Sequence, residues 1–278
     1  MVRSEESSRM KTRLTGVEET LLLPLWARAR ETQRHDPIIE DSKAVELLRR
    51  IDYDFARFDH DWKSQVAVAV RTRLLDDAVR DFLGRNPHAL VVNLGSGLDS
   101  RFHRLDNETV QWYELDLPEV IAWRRQYFKE HARYRFISAS VMDTSWFKAI
   151  DRGDRPVLLI AEGLLMYFAR HEVRSLLRHL VNAFPGAEML LEVLAFGAIG
   201  MTHYHDTLWR FDAKLKWSLA DSHELEHWDR RIKLLNEWCV LDHHAERWGW
   251  LGLVAHNPWF RVLYGERIAH LRFTTHHP

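Results

Sequence analysis

Hydrophobic positions recur at helical spacing through the first ninety residues. Along Trp62 to Leu83 an apolar or small side chain stands at every fourth position, which is typical of one face of a helix. Val17 to Arg34 and Ser42 to Arg50 show helical patterns on either side of the turn His35-Asp36-Pro37. The pattern therefore predicts three helices that form an arm ahead of the main fold.

After Pro87 the pattern changes to short β-branched or apolar runs, each followed by a turn and then by helical spacing. The predicted strands are Ala89–Leu94, Val110–Leu115, Tyr134–Ser138, Pro156–Ala161 and Glu188–Leu194. Helices are predicted from Pro118 to His131 and from Val173 to Phe184. Strands that alternate with helices favour an α/β fold with a mostly parallel sheet and helices on both faces.

Beyond the fifth predicted strand, helical spacing returns from Phe196 to Trp238, with many aromatic residues and histidines. Two last β-like runs, Trp238–Asp242 and Arg267–Thr274, are predicted to close a seven-stranded sheet as an antiparallel edge pair. Because the chain shows no repeat and no linker, we predict a single domain over residues 1–278. Its predicted parts are a helical arm at 1–87, a core at 88–195, a helical lid at 196–236 and closing edge strands at 237–278.

Charge and cysteine content limit the possible functions. Lys and Arg number 39 against 40 Asp and Glu, so no overall field recruits nucleic acid or an anionic membrane. No stretch approaches the ~18 continuous apolar residues of a membrane span, and the polar first ten residues lack a signal sequence. We therefore expect a cytoplasmic protein with a small-molecule partner. The lone Cys239 excludes an internal disulfide framework and a multi-cysteine zinc site, and we predict no metal.

A glycine-rich turn follows the first predicted strand, with the sequence Gly95-Ser96-Gly97-Leu98-Asp99. Glycines at the carboxyl end of a strand let a ligand approach the backbone, and open α/β sheets bind cofactors at this edge. The third glycine of a dinucleotide fingerprint would fall at Ser100, so a nicotinamide or flavin site is disfavoured. An NAD-dependent dehydrogenase is accordingly the weaker alternative.

The second predicted strand ends in two acids, Glu114 and Asp116, roughly 20 residues after the glycines. An acid at this position can accept hydrogen bonds from ribose hydroxyls. Both are candidates, with Asp116 nearer the strand tip. The alternative is a pair of solvated acids without a ligand.

Three segments in this order resemble the leucine carboxyl methyltransferase superfamily. They are the run from Val91 to Arg101 around the glycine loop, the run Glu114-Leu115-Asp116-Leu117-Pro118, and the run from Ala161 to Tyr167 that contains Glu162-Gly163. The resemblance extends over roughly residues 16–195 and is closest to the bacterial polyketide O-methyltransferases of the tetracenomycin type. It implies a Rossmann-like class I methyltransferase fold that uses S-adenosyl-L-methionine.

The resemblance also implies where the cofactor binds. The loop would face it, Asp116 would hold the ribose, Ser140 and Val141 would lie at the adenine, and Glu162 would lie near the methionyl part. Ser140 replaces the acid of the leucine carboxyl enzymes, and Asp143 is an alternative contact for the adenine amino group. The expected cofactor-binding residues are Arg71, Gly95, Ser96, Gly97, Asp116, Leu117, Ser140, Val141 and Glu162.

Arg71 matches the family arginine that pairs with the methionine carboxylate. Helical geometry supports this choice over Arg73, which shares its face with acids that can pair with it. Arg71 instead neighbours Leu75 and Ala78, where an unpaired guanidinium would be costly. We therefore expect an incoming carboxylate to satisfy it in bidentate geometry.

Arg28 and Tyr167 also match family positions, and each has two interpretations. Arg28 is expected to bind a second carboxylate or the substrate, or else to be a solvated helix charge. Tyr167 lies at the expected boundary between cofactor and substrate, where it would help to align the reacting groups, or it packs at the start of the next helix.

The tryptophan and histidine excess falls mostly after residue 203, where the resemblance fades. Most of these tryptophans are expected in the core, and the expected acceptor pocket is built from Arg28, Met201, Tyr204, Trp209 and Trp217. His203 and His205 would point about 200° apart on a helix, which disfavours a metal site. A histidine can instead act as a general base toward a phenol, whereas an ionised carboxylate needs no base. The candidate catalytic residues are Tyr167, His203, Tyr204 and His205.

Together these features predict an S-adenosyl-L-methionine-dependent O-methyltransferase acting on a carboxyl or hydroxyl group of a small, aromatic or polyketide-like metabolite. The alternatives are methylation of a protein C-terminal carboxylate and a non-catalytic partner subunit that retains the fold. The sequence gives neither the acceptor atom nor the oligomeric state.

Overall fold

The computed structural model describes residues 20–195, 197, 214–254 and 257–275. Its helices are α1 (Leu22–Thr32), α2 (Ser42–Arg50), α3 (Trp62–Arg85), α4 (Arg101–Leu105), α5 (Pro118–Arg124), α6 (Arg170–Ala183), α7 (Trp250–Val254) and α8 (Pro258–Tyr264). Its strands are β1 (Leu90–Leu94), β2 (Gln111–Asp116), β3 (Tyr134–Ser138), β4 (Val157–Ala161), β5 (Glu188–Val193), β6 (Ile232–Cys239) and β7 (Arg267–Phe273). No helix in these described ranges is long and apolar enough to cross a lipid bilayer.

The seven strands form one sheet in the order β3-β2-β1-β4-β5-β7-β6. The first five are mutually parallel, whereas β7 runs antiparallel to both of its neighbours. The central strands β1 and β4 read LVVNL and VLLIA and are buried along their whole length, as a sheet covered on both faces requires. The predicted α/β class and the antiparallel closing pair are therefore confirmed.

Two hydrophobic clusters cover the two faces of the sheet. The helices α1 to α5 pack on one face, where Trp26 and Trp112 are almost fully buried. Helix α6 packs on the other face through its apolar stripe, which includes Val173 and Leu177. The predicted helical arm is thus an integral layer of the fold, because α3 alone contributes Leu75, Val79 and their neighbours to the first cluster.

The structure differs from the sequence prediction mainly after residue 214. Strand β6 begins at Ile232, inside the predicted helical lid, and the predicted strand Trp238–Asp242 is a 3-10 turn from Val240 onwards. The described part of the predicted lid has no α-helix, since Ser222–His227 forms a 3-10 helix. Only Ile232 is buried among the strand's side chains, and a register shift follows Leu234, so β6 lacks the regular alternation that would have marked it.

Helix α5 is also shorter than predicted and ends at Arg124 rather than at His131. The Arg124 side chain is fully buried there and donates hydrogen bonds to the carbonyl oxygens of Gly97 (2.8 Å) and Asp99 (2.7 Å). The end of α5 is thereby tied to the glycine loop, which it helps to hold in place.

Candidate active site

The loop after β1 has a backbone that glycine favours at two positions. Gly95 has φ of +65° and Gly97 has φ of +48°, both in the left-handed region. A Cβ on Gly95 would lie 2.6 Å from Leu164 Cδ1, and one on Gly97 would lie 2.9 Å from Leu21 Cδ2. The loop therefore needs glycine at both positions, for its conformation and for close packing against these leucines, at the carboxyl edge where such sheets bind ligands.

The sheet register brings four strand ends together at this edge. In the ladders, Leu94 at the end of β1 pairs with Ala161 at the end of β4, and Asp116 of β2 pairs with Ser138 of β3. The residues expected at the cofactor follow directly after these ends. They are the loop glycines, Asp116 with Leu117, Ser140 with Val141, and Glu162.

The two acids of β2 have different environments. Asp116 lies at the strand tip, where its Oδ2 accepts from the Gly97 N–H (2.7 Å) and its Oδ1 accepts from the Leu117 N–H (2.7 Å). Burial raises the pKa of Asp116. Each carboxylate oxygen has two lone pairs, so both can still accept from ribose hydroxyls.

Glu114, by contrast, is fully buried and bound by protein groups. Its Oε1 accepts from Arg124 Nη2 (2.8 Å) and its Oε2 accepts from Asn93 Nδ2 (2.9 Å). Burial raises the pKa of Glu114 to about 7 against the opposing effect of Arg124. The structure therefore distinguishes the two acids, since only Asp116 lies at the tip of the strand.

A cavity opens beside the glycine loop and extends to α1 and α3. Its cavity volume is about 160 Å³. Among the predicted site residues, its walls include Arg28, Arg71, Gly95, Ser96, Gly97, Glu162 and Tyr167. Burial raises the pKa of Tyr167, so its hydroxyl stays protonated near neutral pH.

Other predicted site residues lie elsewhere. Trp217 is 1% exposed and packs in the second hydrophobic cluster near Trp228, so the structure puts it in the core rather than in the cavity wall. Val141 is buried and Ser140 lies beside it after β3. The remaining acceptor and base candidates lie outside the described residues: Met201, His203, Tyr204, His205 and Trp209.

Arg71 is surrounded by carboxylates, which the sequence argument did not foresee. Its Nε donates to Glu162 (2.8 Å), and its Nη1 donates to Glu192 (3.0 Å) and to Glu266 (3.2 Å). The expectation that Arg71 lacks protein partners is wrong, because those partners lie 91 to 195 residues away along the chain. Within the described residues its Nη2 has no hydrogen bond, so this nitrogen is left for a carboxylate ligand, whereas the expected bidentate geometry would also need Nε or Nη1, which already bind acids.

Sequence reasoning missed Glu192 and Glu266, which both line the cavity. Glu192 is 2% exposed, and its Oε2 accepts from the Gly163 N–H (2.6 Å). Burial raises its pKa to about 8 despite Arg71, and burial also raises the pKa of Glu266. For Glu192 the sequence contains a signal, because this acid stands within the apolar run that forms β5. No local pattern marks Glu266.

Arg28 is buried, so its interpretation as a solvated helix charge is wrong. Its Nε donates to Asp41 (2.9 Å) and its Nη2 donates to the Leu98 carbonyl (3.1 Å), which fixes α1 against the glycine loop. Arg101 is fully buried and binds Asp76 (2.7 Å), Asp99 (2.6 Å) and Glu162 (2.7 Å). As expected, Arg73 pairs with an acid of its own helix face, Asp77, at the surface. Within the described residues, no cluster of His, Cys, Asp and Glu is arranged to hold a metal ion.

The sheet order and the ligand-accessible loop at its carboxyl edge define a Rossmann-like class I methyltransferase. Residues 22–181 match the family model for leucine carboxyl methyltransferase, and the chain belongs to this family. It is an S-adenosyl-L-methionine-dependent enzyme, as the descriptions of its relatives state. The predicted family, fold, enzyme class and cofactor are confirmed.

Two relatives and one solved structure show how far the similarity extends. The tetracenomycin polyketide synthesis O-methyltransferase TcmP of Streptomyces glaucescens is 36% identical, over 83% of this chain and 85% of its own. The S-adenosyl-L-methionine-dependent methyltransferase dpfgK of Gibberella zeae is 34% identical, over 91% of this chain and 93% of its own. A candidate methyltransferase from Thermobifida fusca superposes with a TM-score of 0.59 at 16% identity, covering 90% of this chain and 94% of its own, which supports the fold.

Proposed function

We propose that this chain transfers a methyl group to a carboxyl or hydroxyl oxygen of a small, aromatic, polyketide-like metabolite. The observation that carries the proposal is the mixed lining of the cavity. Its charged residues include Arg71 and Glu162. Its apolar residues include Leu21, Leu23, Met166, Leu194 and Leu215. An apolar surface that carries a few polar groups suits an aromatic acceptor.

The charged residues of the cavity and the strand ends beside it are proposed to hold the cofactor, which supplies an electrophilic methyl carbon on a sulfonium. Asp116 would accept from the ribose hydroxyls, Ser140 and Val141 would border the adenine, and Arg71 and Glu162 would bind the amino-acid end. The remaining lone pairs of the Asp116 oxygens support this assignment, and so does the Arg71 Nη2, which has no hydrogen bond within the described residues.

The acceptor atom determines whether a base is required. A carboxylate is ionised at neutral pH and needs only alignment and exclusion of water. A phenol would need a base, and His203 and His205 remain our candidates for it, with Tyr204 as a further candidate catalytic residue. Tyr167 is proposed to position the acceptor, since a protonated hydroxyl can donate a hydrogen bond but cannot remove a proton. Met201 and Trp209 are proposed to complete the acceptor wall.

The test is methyl transfer from isotopically labelled S-adenosyl-L-methionine to a panel of polycyclic aromatic acids and phenols, followed by mass spectrometry. We expect one labelled methyl group on a panel member, and about tenfold or more slower labelling with the Asp116→Ala variant when the cofactor concentration is below saturation. Mild alkaline hydrolysis then separates the two acceptor classes, because a methyl ester loses the label and an aryl ether keeps it. Label that appears only in macromolecules of a cell lysate would refute a small-molecule acceptor and favour a protein carboxylate.

A further inference from the structure

Three carboxylates converge on one guanidinium at the inner end of the cavity. Glu192 from β5 and Glu266 from the segment before β7 share the Nη1 of Arg71, and Glu162 takes its Nε. Two oxygens that bond one nitrogen are at most about 6 Å apart, so Glu192 and Glu266 lie close together. One positive charge therefore faces three acids at this point.

The neighbouring arginines do not supply the missing positive charge. Arg101 reaches Glu162, but it also binds Asp76 and Asp99. Asp76 also binds Arg104. Arg104 in turn shares Asp41 with Arg28. Among the residues that the structure describes, the connected set contains four guanidiniums and six carboxylates: Arg28, Arg71, Arg101 and Arg104, with Asp41, Asp76, Asp99, Glu162, Glu192 and Glu266.

A buried excess of negative charge is unfavourable unless a proton or a cation compensates it. The groups facing Glu192 are Arg71 from α3, Glu162 after β4, Glu266 before β7 and the protonated Tyr167. Of these only Arg71 is cationic. The cavity is thus suited to a ligand that brings positive charge to this position.

On the basis of the cofactor site proposed above, we propose that Glu192 and Glu266 form its charge-recognition element: one of the two carboxyl groups holds a proton in the ligand-free protein and releases it to solvent when the sulfonium cofactor binds. Methyl transfer converts the sulfonium into a thioether, so the product carries one positive charge fewer. The pair then takes a proton from solvent again. Glu192 and Glu266 thereby favour binding of the substrate form of the cofactor over its product.

The proton affinities are consistent with this assignment. Burial raises the pKa of Glu192 to about 8 and raises that of Glu266, so the pair holds a proton at neutral pH. Burial alone would also raise the pKa of Glu162, but the charges of Arg71 and Arg101 lower this pKa overall and keep the carboxylate ionised. A raised pKa means that the compensating proton is present below about pH 8, and a cation must displace it there.

The test is isothermal titration calorimetry near pH 7 in buffers of different ionisation enthalpy, which counts the protons released on binding. We expect S-adenosyl-L-methionine to release a fraction approaching one proton, and S-adenosylhomocysteine to release none. Below pH 8, the affinity for S-adenosyl-L-methionine should increase by up to about tenfold for each unit by which the pH is raised. The affinity for S-adenosylhomocysteine should not change with pH. Equal proton counts for the two ligands would overturn the proposal.

Two glutamine variants test whether Glu192 and Glu266 are the groups that release the proton. Glu192→Gln removes the ionisable group with little change of shape, and it should abolish proton release and lower the substrate-to-product affinity ratio about tenfold. Glu266→Gln should act in the same direction. Glu246→Gln is the matched control, because that side chain is 70% exposed on the surface, and it should change neither quantity. If both buried variants weaken the two ligands equally, the pair has no role in charge recognition; if neither folds, the wild-type proton counts decide.

Discussion

Gly95 turns the chain out of β1 with φ of +65°, and this single residue couples backbone conformation to ligand access. A side chain there would lie in the left-handed region and against Leu164. Arg71, which the sequence predicts to bind a ligand, also donates hydrogen bonds to three carboxylates of the protein itself. At the residue scale, the site thus combines open backbone with a crowded ionic cluster.

Replacing Gly95 tests the backbone argument. Gly95→Ala should lower the free energy of unfolding by about 1–2 kcal/mol, because an L-residue is strained in this conformation. Gly84→Ala is the matched control: Gly84 lies in helix α3 with no atom near the added methyl group, and the change should stabilise by about 0.5–1 kcal/mol. Denaturant unfolding of both variants gives the answer. Equal effects of the same sign would contradict the assigned backbone strain.

Replacing Asp116 tests the ribose contact. Asp116→Ala should weaken binding of S-adenosylhomocysteine by about tenfold to a hundredfold, as the loss of hydrogen bonds to a charged group implies. Glu119→Ala, an exposed acid three residues further on, should leave the affinity unchanged. Equilibrium titration measures both, and an Asp116→Ala variant that binds as tightly as the wild type would rule this acid out as the ribose ligand.

At the element scale, the five strands and most of the helices between residues 20 and 195 follow from local pattern, the exceptions being α4, which was not predicted, and the early end of α5. Continuous apolar runs such as VLLIA predict β4 because a buried parallel strand needs apolar side chains on both faces. Strand β6 escaped prediction because it is an edge strand with a register shift and mostly exposed side chains. The partners of Arg71 escaped prediction because the packing of β4, β5 and β7 beside α3, rather than local pattern, brings them together.

The antiparallel junction of β5 and β7 makes a pH-dependent contribution to stability. Glu188 of β5 lies opposite Arg272 of β7 and binds it (2.7 Å), together with His270 (2.8 Å) and Arg85 of α3 (3.1 Å). Burial alone would raise the pKa of Glu188, but these partners lower it overall. A lowered pKa stabilises the fold above the unfolded value near ~4.3, and the contribution is lost as the pH falls below it.

Glu188→Gln should therefore destabilise the protein by about 1–2 kcal/mol at neutral pH, and the difference from wild type should shrink as the pH falls below about 4. Denaturant unfolding across this pH range measures the difference. The exposed Glu246→Gln variant should track the wild type throughout. A Glu188→Gln effect that persists unchanged in acid would show that lost packing, rather than lost charge, is responsible.

At the scale of the whole molecule, the site joins segments from both ends of the chain. Arg28 comes from α1, the glycine loop from the centre, and Glu266 from the last strand connection, so the family-matched region alone does not complete the cavity. The Arg28 to Arg101 network ties the helical layer to the strand ends through buried ion pairs. We propose that this composite cavity, with the strand ends beside it, binds the cofactor.

A crystal structure of the protein with S-adenosylhomocysteine tests the proposed cofactor site. We expect ribose hydroxyls within hydrogen-bonding distance of Asp116, adenine beside Ser140 and Val141, and the amino-acid end next to Arg71 and Glu162. Ligand density at any other place, or no density at saturating ligand in crystals whose cavity is open, would contradict it.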